Sequence, residues 1–266
     1  MATDGADSLS LDSLVVGYGG GDVLRGVSFD VHPAGITAVI GPNGAGKSTL
    51  LAAIVGLLRP KSGRVVLNGK EITGISPQQA ISAGIVIVPQ ARSLFPSMTV
   101  AENVDMGGYS IRDRSVYAQR RAMINEMFPL VTRQAKQRAG RLSGGQQRVV
   151  EFARCLMLEP QVVLLDEPSI GLDPAALRLV YDSIIQMRAS GRTVMLVEQN
   201  AKAALEVADM AVLLEAGRVR LAGPAKELRD HHEIGSVYLG SGALKAADPK
   251  RESQVSGPAE RIGQEK

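Results

Sequence analysis

The chain has 266 residues, 45% of them hydrophobic, which suits one large α/β unit with a sizeable buried core. Aromatic residues make up 3% with no Trp, which disfavours a single-strand binder that stacks bases. The 30 Lys and Arg against 27 Asp and Glu leave +3, too little to hold DNA or an anionic membrane surface by charge. A lone cysteine, Cys155, excludes an intramolecular disulfide and a zinc cluster, and reads as a small buried apolar residue.

In chain order, Met1–Ser10 is polar and acidic, without the basic and apolar regions of a secretory leader. No apolar run approaches the ~20 residues that span a bilayer, so any spanning falls to other chains. Leu9 to Asp30 reads as strands, with a turn at Gly19, Gly20 and Gly21. Ile36–Ile40, bounded by Gly35 and Gly41, predicts a buried strand, and Ser48–Leu58, apolar on nearly every side, predicts a buried helix ended by Gly56 and Pro60. Arg64–Leu67 and Ile85–Val88 predict two more strands, the first followed by a turn at Asn68-Gly69. From Arg92 to Leu142 charge density rises, as in a mostly helical insert with solvated faces. Buried strands return at Gln161–Asp166 and Thr193–Val197. Short buried strands alternating with helices imply a parallel sheet covered on both faces. The stretch from about Ser241 to Lys266 lacks periodicity and predicts a disordered tail, with a small regulatory extension as the alternative.

Three stretches carry chemistry. Gly41-Pro42-Asn43-Gly44-Ala45-Gly46-Lys47-Ser48 fits G-x-x-x-x-G-K-[ST], between a predicted strand and a predicted helix. Glycines let backbone N–H groups converge on a polyphosphate, and the helix start adds partial positive charge. Lys47 supplies a full charge and Ser48, followed by Thr49, a hydroxyl suited to Mg²⁺. The plain alternative is a glycine-rich turn. Next, Val162–Leu165 ends in Asp166 and Glu167. Asp166 is placed to hold Mg²⁺ and Glu167 to act as general base on water, unless the pair only marks a strand reaching solvent. Last, Leu142-Ser143-Gly144-Gly145-Gln146 opens a helix running to about Leu158. Ser143 and Gln146 have capping-box spacing, and the two glycines expose donors that would also suit an anion.

The order of phosphate loop, Leu-Ser-Gly-Gly-Gln and Leu-Leu-Asp-Glu-Pro resembles the ATP-binding-cassette (ABC) ATPases, over about Leu9 to Gly240. The resemblance implies a P-loop NTPase (RecA-like) α/β core with an antiparallel β subdomain and an inserted helical subdomain. It implies a flexible segment at 1–8, the ATPase domain at 9–240 with the helical insert at about 92–158, and the tail at 241–266. ATP and Mg²⁺ are the implied ligands. Ser143, Gly144, Gly145 and Gln146 would close on ATP held by a second subunit in a head-to-tail dimer. Tyr18 matches the aromatic that stacks on adenine, or is an ordinary sheet tyrosine. Gln90 matches the glutamine that touches Mg²⁺ or the attacking water, or is a polar loop residue. Asp173 before Pro174 matches the aspartate that communicates across the dimer, and is also a natural helix N-cap.

One departure narrows the resemblance. Where the family usually has a histidine against the γ-phosphate, this chain has Gln199, and His32, His231 and His232 all lie elsewhere. A glutamine donates a hydrogen bond there but carries no charge. Val197-Glu198-Gln199-Asn200-Ala201, together with Ser93 to Asn103 and the ending near Tyr238-Leu239-Gly240, resembles one of the two ATPase subunits of branched-chain amino-acid importers. That implies transmembrane permease partners, a second ATPase subunit in a heterodimer (or a homodimer), no nucleic-acid partner, and a place on the cytoplasmic face of the membrane. A urea or amide importer, an exporter and a non-transport ABC ATPase are the alternatives.

Overall fold

The computed structural model describes residues 9–231; the expectations for 1–8, for Tyr238–Gly240 and for the tail lie outside the described residues. The chain begins with a hairpin, β1 (Leu9–Tyr18) and β2 (Gly21–Val31), and continues through β3 (Ile36–Ile40) and α1 (Lys47–Ile54). Then come β4 (Ser62–Leu67), β5 (Lys70–Glu71), α2 (Pro77–Ser82) and β6 (Ile85–Val88). Helices α3 (Val100–Gly107), α4 (Arg114–Met127), α5 (Pro129–Arg133), a 3₁₀ turn at Ala139–Arg141 and α6 (Gly144–Leu156) fill the stretch before β7 (Val162–Asp166). The chain continues through α7 (Pro174–Ala189), β8 (Thr193–Glu198), α8 (Ala201–Val207), β9 (Met210–Glu215), β10 (Arg218–Pro224) and α9 (Ala225–Asp230).

Two sheets result. The smaller is antiparallel, in the order β2-β1-β4-β5; the larger runs β10-β9-β3-β8-β7-β6, with β10 antiparallel at one edge and the other strands parallel. The central strands alternate between two hydrophobic cores, as side chains on opposite faces of a pleated strand must. Val163 and Leu165 of β7 and Val194 and Leu196 of β8 pack with the helices α3 to α7 on one face. Val162, Leu164, Met195 and Val197 pack with α1 and the small sheet on the other. Both faces are covered, so these strands read in sequence as unbroken apolar runs.

The helix expected over Ser48–Leu58 is shorter, starting at Lys47 and ending at Ile54. Gly56 takes a left-handed conformation (φ 74°), and the N–H groups of Leu57 and Leu58 both turn back to the carbonyl of Ala52. The reversal leaves Leu57 64% exposed, although the apolar run suggests burial. Cys155 is half-buried beside Leu158 at the end of α6. Among the described residues no helix is long and apolar enough to cross a membrane.

Candidate functional site

The parallel strands deliver their chemistry at one edge. β3 runs into the loop from Gly41 to Gly46, and α1 begins at Lys47 with Gly46 as its cap and no side-chain acceptor on its first N–H groups. An uncapped helix start is a positive, donor-rich end. The loop must be glycine where it crosses other chain segments. A Cβ on Gly41 would lie 2.2 Å from the carbonyl oxygen of Leu214, and one on Gly46 (φ 105°) would lie 2.6 Å from Leu24. Within the turn, the N–H of Ala45 donates to the carbonyl of Pro42 at 3.2 Å.

Lys47 is 5% exposed, and its ammonium donates to the carbonyls of Gly41 (2.9 Å) and Pro42 (3.2 Å). It also pairs with Glu167 Oε1 at 3.2 Å. Ser48 Oγ donates to Asp166 Oδ1 at 3.2 Å, and Gln90 Nε2, from the loop after β6, donates to Glu167 Oε2 at 3.1 Å. Glu167 itself has φ 44°, an uncommon conformation for a residue with a side chain, and its N–H is tied to the carbonyl of Val197. Burial raises the Asp166 carboxyl above its usual range, and the Ser48 hydroxyl opposes that shift. Lys47, Ser48, Gln90 and Glu167 line one cavity of about 360 Å³, together with Asn43, Gly44, Gly46, Thr49 and Gln199.

Other predicted site residues lie apart from this cavity. Tyr18 is 60% exposed at the end of β1, while Val23 of the neighbouring strand lines the cavity. Ser143 caps α6, and its hydroxyl and the Gln146 side chain satisfy each other's backbone N–H groups, the capping box its spacing predicts. Gly144 and Gly145 form the first turn behind it. The carboxylate of Asp173 accepts from the N–H groups of Ala175 and Ala176 and starts α7, with Pro174 at the first helical position. Within one chain, then, two predicted phosphate-binding regions face different spaces.

Two buried polar arrangements escaped the sequence reading. Glu198, 1% exposed at the end of β8, accepts from the Ser169 N–H (3.1 Å) and the Ser169 hydroxyl (2.8 Å). Desolvation raises its carboxyl to about 7, against the pull of the Ser169 bonds. Its neighbour Gln199 forms one side of a second cavity with Glu167, Ser169 and Asn200. On α6, Arg148 (5% exposed) pairs with Glu151 (1% exposed) at 2.8 Å. The available signal was a pair of charges three apart among the buried Val149, Val150, Phe152 and Ala153.

A sequence profile of the ABC transporter family matches residues 24–170. The high-affinity branched-chain amino acid transport ATP-binding protein BraG of Pseudomonas aeruginosa is 39% identical over 232 residues, 87% of this chain and 99% of its own. The probable branched-chain amino acid transport ATP-binding protein LivF of Archaeoglobus fulgidus is 39% identical over 228 residues, 85% of this chain and 96% of its own. The ADP conformation of a solved ATP-binding cassette of an ABC transporter superposes with a TM-score of 0.80 at 28% identity, covering 89% of this chain and 100% of that one. The chain belongs to the ABC transporter family and is one of its ATP-hydrolysing cassettes.

Proposed function

We propose that this cassette drives import of branched-chain or related amino acids from the cytoplasmic face of a membrane, bound there by permease subunits. The observation that carries the reading is the meeting of Lys47, Ser48, Gln90, Glu167 and Gln199 around one cavity, on a chain 39% identical to BraG along most of its length.

In this reading the loop from Gly41 to Gly46, Lys47 and Thr49 hold the ATP phosphates against the start of α1. Ser48 and Asp166, a hydroxyl and a carboxylate 3.2 Å apart, form the hard oxygen pair that Mg²⁺ prefers, with Gln90 nearby. The ion when bound would offset phosphate charge. Glu167 accepts a proton from water as that oxygen bonds to the γ-phosphorus. The bond from the γ-phosphorus to the bridging oxygen then breaks, and ADP leaves with the electron pair. Arrival of the phosphates gives Lys47 a stronger partner than Glu167, which frees that carboxylate for water. Gln199 donates to a γ-phosphate oxygen without adding charge.

The capping-box segment Ser143–Gln146, remote from the chain's own cavity, would complete the site of a second cassette in a head-to-tail dimer. Asp173 would report across that interface and Tyr18 would stack on adenine. Because Gln199 replaces the usual histidine, we read the dimer as asymmetric, with the histidine on a different partner subunit. The cassette, 9–240, would meet its permeases along an apolar surface that runs from α2 past the end of α6 to the end of α3. Its exposed Leu57, Ile81, Phe95, Met106 and Tyr109 border two cavities that share Cys155 and Leu158.

Tagged purification from native membranes in mild detergent, with mass spectrometry, tests this. Two permease subunits and a second cassette bearing the histidine support it. Recovery of the chain alone, or with ribosomal or DNA-repair proteins, overturns the transport reading.

A further inference from the structure

The loop that carries Gln90 runs from Pro89 to Met98. Its far part is tied through Phe95 to Asn103 of α3 and through Pro96 and Met98 to the 3₁₀ turn, while its first residues, Pro89 to Ser93, are gripped by α6. Arg148 Nη1 donates to the carbonyl of Pro89 and Nη2 to that of Gln90, both at 2.9 Å. Glu151 Oε1 accepts from the N–H of Ser93, and its other oxygen is held by Arg148. One turn further along α6, Arg154 Nη1 donates to the carbonyl of Ser93 at 2.8 Å. Gln90 is therefore fixed at both ends, its carbonyl by Arg148 and its side-chain amide against Glu167 at 3.1 Å.

Stability alone is a poor explanation for two charges this deeply buried. Desolvation offsets much of the attraction of such a pair, and a well-packed apolar pair is often as stable. Positions 148 and 151 lie in a helix whose neighbouring residues are already apolar and buried. What two leucines there could not do is hold a loop backbone in register, since they offer no hydrogen bonds. The planar guanidinium suits the task because it reaches two carbonyls and a carboxylate at once.

We infer that Arg148, backed by Glu151, is a positioning residue for hydrolysis: it fixes the aim of Gln90 at Glu167 from the helix whose first turn carries Ser143–Gln146. The inference rests on the roles given above to Gln90 and Glu167. It ties Pro89 to Ser93 to α6, so a shift of α6 moves Gln90 with it.

The test is steady-state ATPase of the full chain, in the complex with which it purifies, for Arg148→Met/Glu151→Leu, Arg148→Lys and Gln90→Ala. The double substitution removes both charges and leaves neither unpaired. Its melting temperature should stay close to the parent's and its KM for ATP within about twofold, while kcat falls by about ten- to a hundredfold, as misplacement of a reacting group does. Arg148→Lys should not restore kcat, since an ammonium is a point charge without the fork. A folded double variant with parental kcat, alongside a slow Gln90→Ala, overturns the positioning inference alone. A Gln90→Ala variant with parental kcat overturns the reading of the site beneath it. Should the double variant fail to fold, Arg148→Lys is judged by the same split between kcat and KM. Failure of both to fold would make the pair a requirement of folding and overturn the assignment.

Discussion

The strand-end edge of the parallel sheet and the face of α6 are built on opposite principles. At the edge, β3, β7 and β8 each run apolar to their last residues and then present Lys47, Asp166 and Glu167, and Glu198 and Gln199 within a few positions. Position along the chain and position in space agree there, because parallel strands in one sheet finish together. On α6 the functional contacts reach residues 58 to 61 positions away, and most end on backbone atoms. In the proposed mechanism the edge supplies reacting groups and the helix face supplies their alignment. Damage to the edge should therefore remove chemistry, whereas damage to the helix face should misdirect it.

The largest separation of the two should come from Glu167→Gln. Loss of the proposed general base is expected to lower turnover by about a thousandfold or more and to leave ATP bound in a closed dimer. A variant that stays monomeric with ATP on gel filtration would put the head-to-tail assembly in doubt. Lys47→Ala should be nearly as severe but of another kind. It removes the cation from the cavity and leaves Glu167 without its partner at 3.2 Å, so nucleotide titration should show affinity reduced along with turnover. Unchanged affinity would mean that the loop amides carry the phosphates alone.

Smaller effects sharpen the contrast. The Glu198 carboxyl has an ordinary value of 4.5 and is raised to about 7 in the fold, with Glu167, Ser169 and Tyr181 facing it. The folded state thus holds this proton more tightly than the unfolded chain. Its stabilising effect is full below the unfolded value and is lost as pH rises through about 7. Between about pH 5 and pH 8 the parent should lose on the order of 2 kcal/mol relative to Glu198→Gln, read as a difference in melting curves. Parallel curves would show that the carboxylate is ionised throughout. Ser143→Ala should remove a helix cap, for about 1 kcal/mol of stability by chemical denaturation. If Ser143 also meets a second subunit's ATP, turnover falls further than that loss explains; if stability alone changes, the residue is only a cap.

The sequence was most informative where physics is local. The strand order in space was not foreseen, but each of the buried strands Ile36–Ile40, Ile85–Val88 and Val162–Asp166 was visible as an apolar run, and the loop after Ile40 as a cluster of glycines before a lysine. The capping box at Ser143 and the N-cap at Asp173 were legible from spacing of a few residues. Gly56 was legible as a residue that stops α1, although the helix was carried on to Leu58; the approach of the Ile75 carbonyl, from which a Cβ on Gly56 would stand only 1.7 Å, is a contact no local pattern shows. The bonds of Glu198 to Ser169 span 29 positions, and those of Arg148 to Pro89 and Gln90 span 59 and 58. No periodicity reports such pairs. A charge set among apolar helix positions marks only that some distant group must answer it.

The division between a reacting edge and an aligning helix face is tested most directly by a double-mutant cycle in kcat joining Gln90→Ala to Arg148→Met/Glu151→Leu. If Arg148 acts through Gln90, the combined variant should be no slower than Gln90→Ala alone, because the aligning contact has nothing left to align. Losses that multiply would show two independent contributions and contradict the account.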